Sequence, residues 1–138
     1  MGYPSLHLSA GDAILTGPFH RASEEIPEFG AAGVGDMAIL NAMGLVANGI
    51  GNHEFDGGVD AFAKVLHAAD FPMLAANLDF SNVSSKAGSP PIEIGTDGSL
   101  CSNNPGKVMK SCHVDLQSEG VGKVGIIGVA PIDLFNIQ

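Results

Sequence analysis

The chain has 138 residues, 45% of them hydrophobic, with 15 Asp+Glu against 6 Lys+Arg and a formal net charge of −9. That length holds one domain with a core and not two, and the apolar content together with a positive mean hydropathy argues against a disordered chain. No basic stripe or run exists, which argues against a bare electrostatic nucleic-acid binder; a phosphate substrate would need its charge met by something other than Lys and Arg. No apolar stretch approaches the roughly 20 residues of a membrane span, and Met1–Ser5 lack the basic start and apolar centre of a signal peptide.

Taken in order, Leu6-His7-Leu8-Ser9-Ala10 reads as a strand that stops at Gly11-Asp12. Residues 13–30 read as irregular, broken by Gly17-Pro18, Pro27 and Gly30. Ala31 to Met43 carries apolar residues at helical spacing, with Asp36 in its first turn or cap and Gly44 as a stop. Leu45 to Ile50 predicts a short buried strand, ended by the turn Gly51-Asn52-His53-Glu54-Phe55-Asp56. Val59 to Asp70 has helical periodicity through Val59, Phe62, Ala63, Val65 and Leu66. Phe71 to Leu78 reads as the next buried strand. This alternation predicts an α/β fold with a parallel sheet and right-handed crossovers. Residues 1–78 thus form a βαβαβ unit and 79–106 a polar surface insertion rich in Ser, Gly, Asn and Pro. Residues 107–138 hold a β-hairpin, Lys107 to Gln117 and Val121 to Ala130, turned at Ser118-Glu119-Gly120.

The chemistry concentrates at the strand ends. Strands one and two both end in glycine plus a metal-competent side chain, Gly11-Asp12 and Gly51-Asn52. Glycine lets the chain turn sharply there. In a parallel arrangement both ends lie on one rim of the sheet, where open α/β folds place their sites, so Asp12 and Asn52 can converge. Oxygen and imidazole groups in this cluster suit hard or borderline divalent cations and proton transfer. Glu54 and Asp56 read as structural, capping backbone N–H groups or supporting His53. Asn77 reads as orienting its local turn. His7 reads as a core or interface residue and His20 as a solvated loop residue, while His67 and His113 have no ligand partner at useful spacing. The methionines fit core packing. Cys101 and Cys112, eleven apart, are either two free thiols or a disulfide pair in an exported protein, with the disulfide slightly favoured.

Four stretches together carry a family resemblance: Ser9-Ala10-Gly11-Asp12, Asn41-Ala42-Met43-Gly44, Gly51-Asn52-His53-Glu54-Phe55-Asp56, and Phe71-Pro72-Met73-Leu74-Ala75-Ala76-Asn77-Leu78. They resemble the catalytic domain of the 5′-nucleotidase family, within the calcineurin-like metallophosphoesterases; Lys123 to Pro131 matches more loosely. The resemblance implies part of a layered α/β sandwich whose first strand and C-terminal part lie outside the chain. It implies hydrolysis of a phosphate monoester by a hydroxide activated between two divalent ions (Mn, Zn, Fe, Co or Mg). Asp12 would bridge the ions, Asn52 would ligate the second, and His53 would act on the transition state or leaving group. The chain departs from the family pattern: no Asp-x-His precedes Asp12, no Gly-His-x-His follows, Val46 stands where the family often has Asp, and Gly17-Pro18 where Gly-Ser is common. An internal fragment of this kind is expected to bind metal weakly or not at all and to be inactive alone. The missing first strand is expected to leave an unpaired sheet edge. Its partners would be the missing parts of the catalytic domain and a C-terminal substrate domain. Alternative substrates are a nucleotide sugar, a cyclic nucleotide or a sulfur ester; a non-catalytic remnant acting as a binding module is the reading from another class. The cysteine pair and the family lean towards export to the periplasm or outside, with a cytoplasmic location as the alternative.

Overall fold

In a computed structural model of the chain, residues 4–117 and 120–133 are described. The sequence readings on Met1–Tyr3, on the hairpin-turn residues Ser118 and Glu119, and on residues 134–138 lie outside them.

A five-stranded parallel sheet forms the centre, in the order β1-β2-β3-β5-β4. Its strands are β1 (His7–Ser9), β2 (Leu45–Gly49), β3 (Met73–Leu74), β4 (Glu93–Ile94) and β5 (Lys107–Met109). Helices α2 (Val34–Ala42) and α3 (Gly58–His67) cross between the first three strands, and α1 (Pro18–Ala22) precedes them. An antiparallel hairpin, β6 (Ser111–Leu116) with β7 (Gly122–Ile127), follows.

Period-2 alternation within the strands sorts the core into two layers. Ile50, Met73 and Val108 pack with Met37, Phe62, Val65 and Leu66 under the helices. Their neighbours Ala47, Leu74 and Met109 pack with Cys101, Cys112, Val114 and Ile126 on the hairpin side. The sheet is therefore covered by helices on one face and by the hairpin on the other, as its mostly apolar central strands require. The α3 apolar stripe at Phe62, Ala63, Val65 and Leu66 is buried, as its periodicity predicts. Gly44, at φ +70°, ends α2 in the left-handed conformation that makes glycine the favoured stop. The Asn41 amide then joins the two helices, donating to Ala68 O and accepting from Asp70 N, both at 2.9 Å.

Several boundaries differ from the sequence reading. Lys107 to Gln117 is not one hairpin arm. Lys107–Met109 enters the parallel sheet between β3 and β4, and the chain turns out at Lys110, whose N–H is taken by Asp97 Oδ1 at 2.7 Å. The insertion 79–106 is not wholly surface excursion: Glu93–Ile94 is the sheet's edge strand and Cys101 is buried. Both segments were misread because three- and two-residue strands are too short to show alternation. Within 13–30 a one-turn helix, Pro18–Ala22, forms with proline at its start, where the missing N–H costs nothing. The strand predicted over Phe71 to Leu78 pairs only at Met73–Leu74. His20 is not a solvated loop residue. It lies on α1 with its Nδ1 3.4 Å from Asp36 Oδ2, its side chain 13% exposed. His7 is exposed rather than core, and its Nδ1 donates to Met43 O at 3.0 Å. Met37, Met73 and Met109 are buried, whereas Met43 is exposed.

Candidate functional site

β1 and β2 run parallel with Ser9 opposite Asn48, so their exits emerge side by side on one rim. There the backbones nearly touch. A Cβ on Gly11 would lie 2.6 Å from Gly51 N, and one on Gly51 would strike the Asp12 carboxylate. Glycine at both positions is what allows this approach. Asp12 follows at φ +52°, a left-handed conformation unusual outside glycine and tolerated by Asp. This backbone turns its exposed carboxylate across the rim, where Oδ1 accepts from His53 N at 3.1 Å.

After Gly51 the chain forms a short 3-10 turn, His53–Phe55, with Asn52 at its start. Each side chain of this turn goes a different way. Glu54 is buried at 3% exposure and points back under the strand ends. Its Oε2 accepts from Gly51 N at 2.7 Å and Asp12 N at 3.0 Å, and its Oε1 from Ala13 N at 2.8 Å. Phe55 packs its ring 4.8 Å from that of Phe62 on α3, which anchors the turn to the helical layer. His53 stays part-exposed, and its Nδ1 donates to Asp56 Oδ2 at 2.8 Å. That hydrogen bond, aided by the nearby charges of Asp56, Asp12 and Glu54, raises the His53 pKa above its ordinary value despite some desolvation. Thr16 Oγ1 donates to the same Asp56 oxygen at 3.3 Å, so the loop after Asp12 also steadies the pair.

Among the candidates, Asp12, Asn52 and His53 thus stand on one rim, with Gly11 and Gly51 as the close-packed floor. Asn77 lies elsewhere in the framework: its amide donates to Ala130 O and accepts from Ala130 N, both at 2.8 Å, tying the exit of β3 to the chain beyond the hairpin. Cys101 and Cys112 form a disulfide with Cα atoms 5.1 Å apart, buried on the hairpin side of the sheet and away from the rim. Sequence reasoning missed Thr16 and Phe55. Thr16 carries no local signal, since its partner is forty residues on. Phe55 could have been found as the apolar residue of a polar turn.

The donor set fits a divalent cation in kind and not in number. Asp12 and Asn52 carry side-chain oxygens and stand on one rim, a donor type that suits Mn, Mg or Zn. Among the described residues, no group of three or more His, Cys, Asp and Glu side chains could hold a metal ion. Glu54 is occupied by backbone N–H groups and Asp56 by His53.

No protein-family model matches the chain. Snake venom 5′-nucleotidase of Gloydius brevicauda is 34% identical over 93 residues, 67% of this chain and 13% of that protein. A Lutzomyia longipalpis protein is 34% identical over 80 residues, 58% of this chain and 13% of that protein. The structure of NAD nucleotidase from Haemophilus influenzae shares the fold, with a TM-score of 0.59 and 26% identity over 93% of this chain and 18% of that chain. The parallel sheet and its covering hairpin are those of a metallophosphoesterase α/β fold. In sequence and in fold the chain is similar to 5′-nucleotidases, and it spans 13% of the length of the curated relatives it matches.

Proposed function

We propose that this chain is the part of a 5′-nucleotidase-type phosphoesterase that supplies one wall of the catalytic centre, acting on phosphate esters of nucleotides. The observation that carries this reading is the convergence of Asp12, Asn52 and His53 on one rim, from strand ends forty residues apart. The names of the relatives support a nucleotide as substrate class: one is a 5′-nucleotidase and the structural neighbour an NAD nucleotidase.

Two divalent cations, when bound, would supply the Lewis acidity that lowers the pKa of a water and neutralises phosphoryl oxygens, so that few Lys or Arg are needed. The Asp12 carboxylate and the Asn52 amide oxygen would be the groups of this chain that hold them. His53 faces solvent with Nδ1 occupied by Asp56, which leaves Nε2 as the proton donor towards a leaving oxygen. Asp56 fixes the ring orientation and favours the protonated form that this role needs. With two oxygen ligands on the rim, the 138 residues alone would hold divalent ions weakly. The rest of the centre would come from other parts of a longer polypeptide. The buried disulfide and a relative named from venom support an exported location.

The test uses the longest polypeptide in which the gene carries this sequence. Phosphate release from AMP and from NAD in manganese buffer is expected, with Asp12→Ala and His53→Ala each lowering the rate about 10²–10⁴-fold. Unchanged rates in both variants would remove the site assignment. No turnover of AMP, NAD, a nucleotide sugar or a cyclic nucleotide by the wild-type polypeptide would favour a non-catalytic binding module.

A further inference from the structure

Glu54 is set apart by where its donors come from. A glutamate that only capped its own turn would accept from the residue three before it, as Glu54 does from Gly51. Its other two donors, Asp12 N and Ala13 N, lie 42 and 41 residues away on the exit of β1. One buried carboxylate therefore grips the backbone on both sides of the rim. We propose that Glu54 is a positioning residue: it holds Asp12 in its left-handed backbone and fixes the Asp12 carboxylate against the turn that carries Asn52 and His53.

Three observations support a fastening role beyond ordinary burial. Asp12 is the one non-glycine residue with positive φ among the described residues, and its own N–H is one of the three gripped. The tie is reciprocated, because Asp12 Oδ1 accepts from His53 N at 3.1 Å, next to Glu54 itself. The glycine contacts leave no slack, since a single added carbon at Gly11 or Gly51 would collide across the rim. With Glu54 removed, the strand exits keep their glycines but lose the bonds that hold them in register. Asp12 is then free to relax to negative φ, which swings its carboxylate away from the His53 N–H and the turn that carries Asn52.

The two oxygens of Glu54 do different work, which makes the proposal separable from a general loss of stability. In Glu54→Gln the side-chain oxygen can keep the Gly51 and Asp12 N–H groups, while the NH₂ faces the Ala13 N–H donor and loses that bond alone. In Glu54→Asp the shorter side chain keeps Gly51 and cannot span to the β1 exit. Amide hydrogen exchange on the 138-residue chain reads this directly. Relative to wild type, Ala13 N–H is expected to exchange at least about tenfold faster in Glu54→Gln, and Asp12 and Ala13 N–H both in Glu54→Asp. Ala75 and Gly95 N–H, bonded within the sheet, should keep their rates in both. Equal exchange of Asp12 and Ala13 in wild type and Glu54→Asp would overturn the proposal, as would uniform acceleration across the sheet.

The consequence for ligand spacing rests on the metal-site reading above, and a Mn²⁺ titration followed by NMR line broadening tests it separately. Asp12 and Asn52 signals are expected to broaden together in wild type and with a midpoint raised about tenfold in Glu54→Asp. Matching midpoints would overturn the positioning role. Absence of broadening in wild type would sink the metal-site reading instead, and the exchange rates would then decide the Glu54 role by themselves.

Discussion

Four acidic or imidazole side chains lie within a few residues of the rim, and hydrogen bonding separates their roles. Glu54 is spent on three backbone N–H groups, Asp56 on the His53 ring, and Asp12 is left exposed. The His53–Asp56 pair yields a prediction at this scale. The Asp56 hydrogen bond raises the His53 pKa, so Asp56→Asn should bring it down towards the ordinary histidine value of 6.5. An NMR titration of the imidazole Cε1 proton in metal-free buffer checks this, and an unchanged pKa would show that the bond does not form. The sign for stability follows from linkage. A raised folded-state pKa contributes stability that is full below the unfolded pKa and is lost as pH rises through the folded one. Wild type should therefore lose its advantage over Asp56→Asn as pH rises above 6.5 and through the raised folded-state pKa. The glycine-flanked Asp and Asn at two strand ends were legible as converging groups, since parallel strands share a rim. That Glu54 caps backbone N–H groups was legible too, but not that it reaches Asp12 and Ala13, because these partners lie more than forty residues away in sequence.

The elements were legible in proportion to their length. α3, ten residues long with a full apolar stripe, is plain from its periodicity. β4 and β5, at two and three residues, cannot display a period and were absorbed into an insertion and a hairpin arm. The disulfide holds these short pieces together. Cys101 sits in the turn before β5 and Cys112 on β6, both packed against Ala47, Leu74 and Met109 of the sheet. Closing an eleven-residue separation removes denatured-state freedom worth about 2–4 kcal/mol. Replacing both cysteines by alanine should lower unfolding free energy by about that amount in urea titrations. Exchange protection should fall most in β6 and β7 and least in α3. An unchanged midpoint would mean that packing alone holds the hairpin to the sheet.

At the scale of the whole molecule, β1 and β4 are the edges of the parallel sheet, and β6 and β7 pair only with each other among the described strands; β1 and β7 are the edges that bear on association. Between them runs a groove of about 370 Å³ lined by Leu8, Ala47, Gly49, Leu74, Ile126 and Val129, among others. Ile127 and Val129 beside it are 71% and 70% exposed. A long apolar edge strand invites pairing with another chain, and a net charge of −9 opposes it by repulsion. Association should therefore rise with salt, and Ile127→Lys with Val129→Lys should suppress it. Sedimentation velocity at low and high ionic strength checks both; salt-independent association, or a double variant that associates as wild type does, would place the contact elsewhere.

By itself the sequence determined the α/β class, the two Gly-led strand ends and the inventory at the rim. These follow from local periodicity and from residue chemistry, which neighbours along the chain reveal. Tertiary structure alone decided that Glu54 ties the exit of β1 to that of β2 and that Lys107–Met109 joins the parallel sheet. It also decided that His20 meets Asp36. The reason is common to all three: each depends on hydrogen-bond partners or strand neighbours distant in sequence, and a buried donor or acceptor accepts whichever partner the packed fold brings within reach.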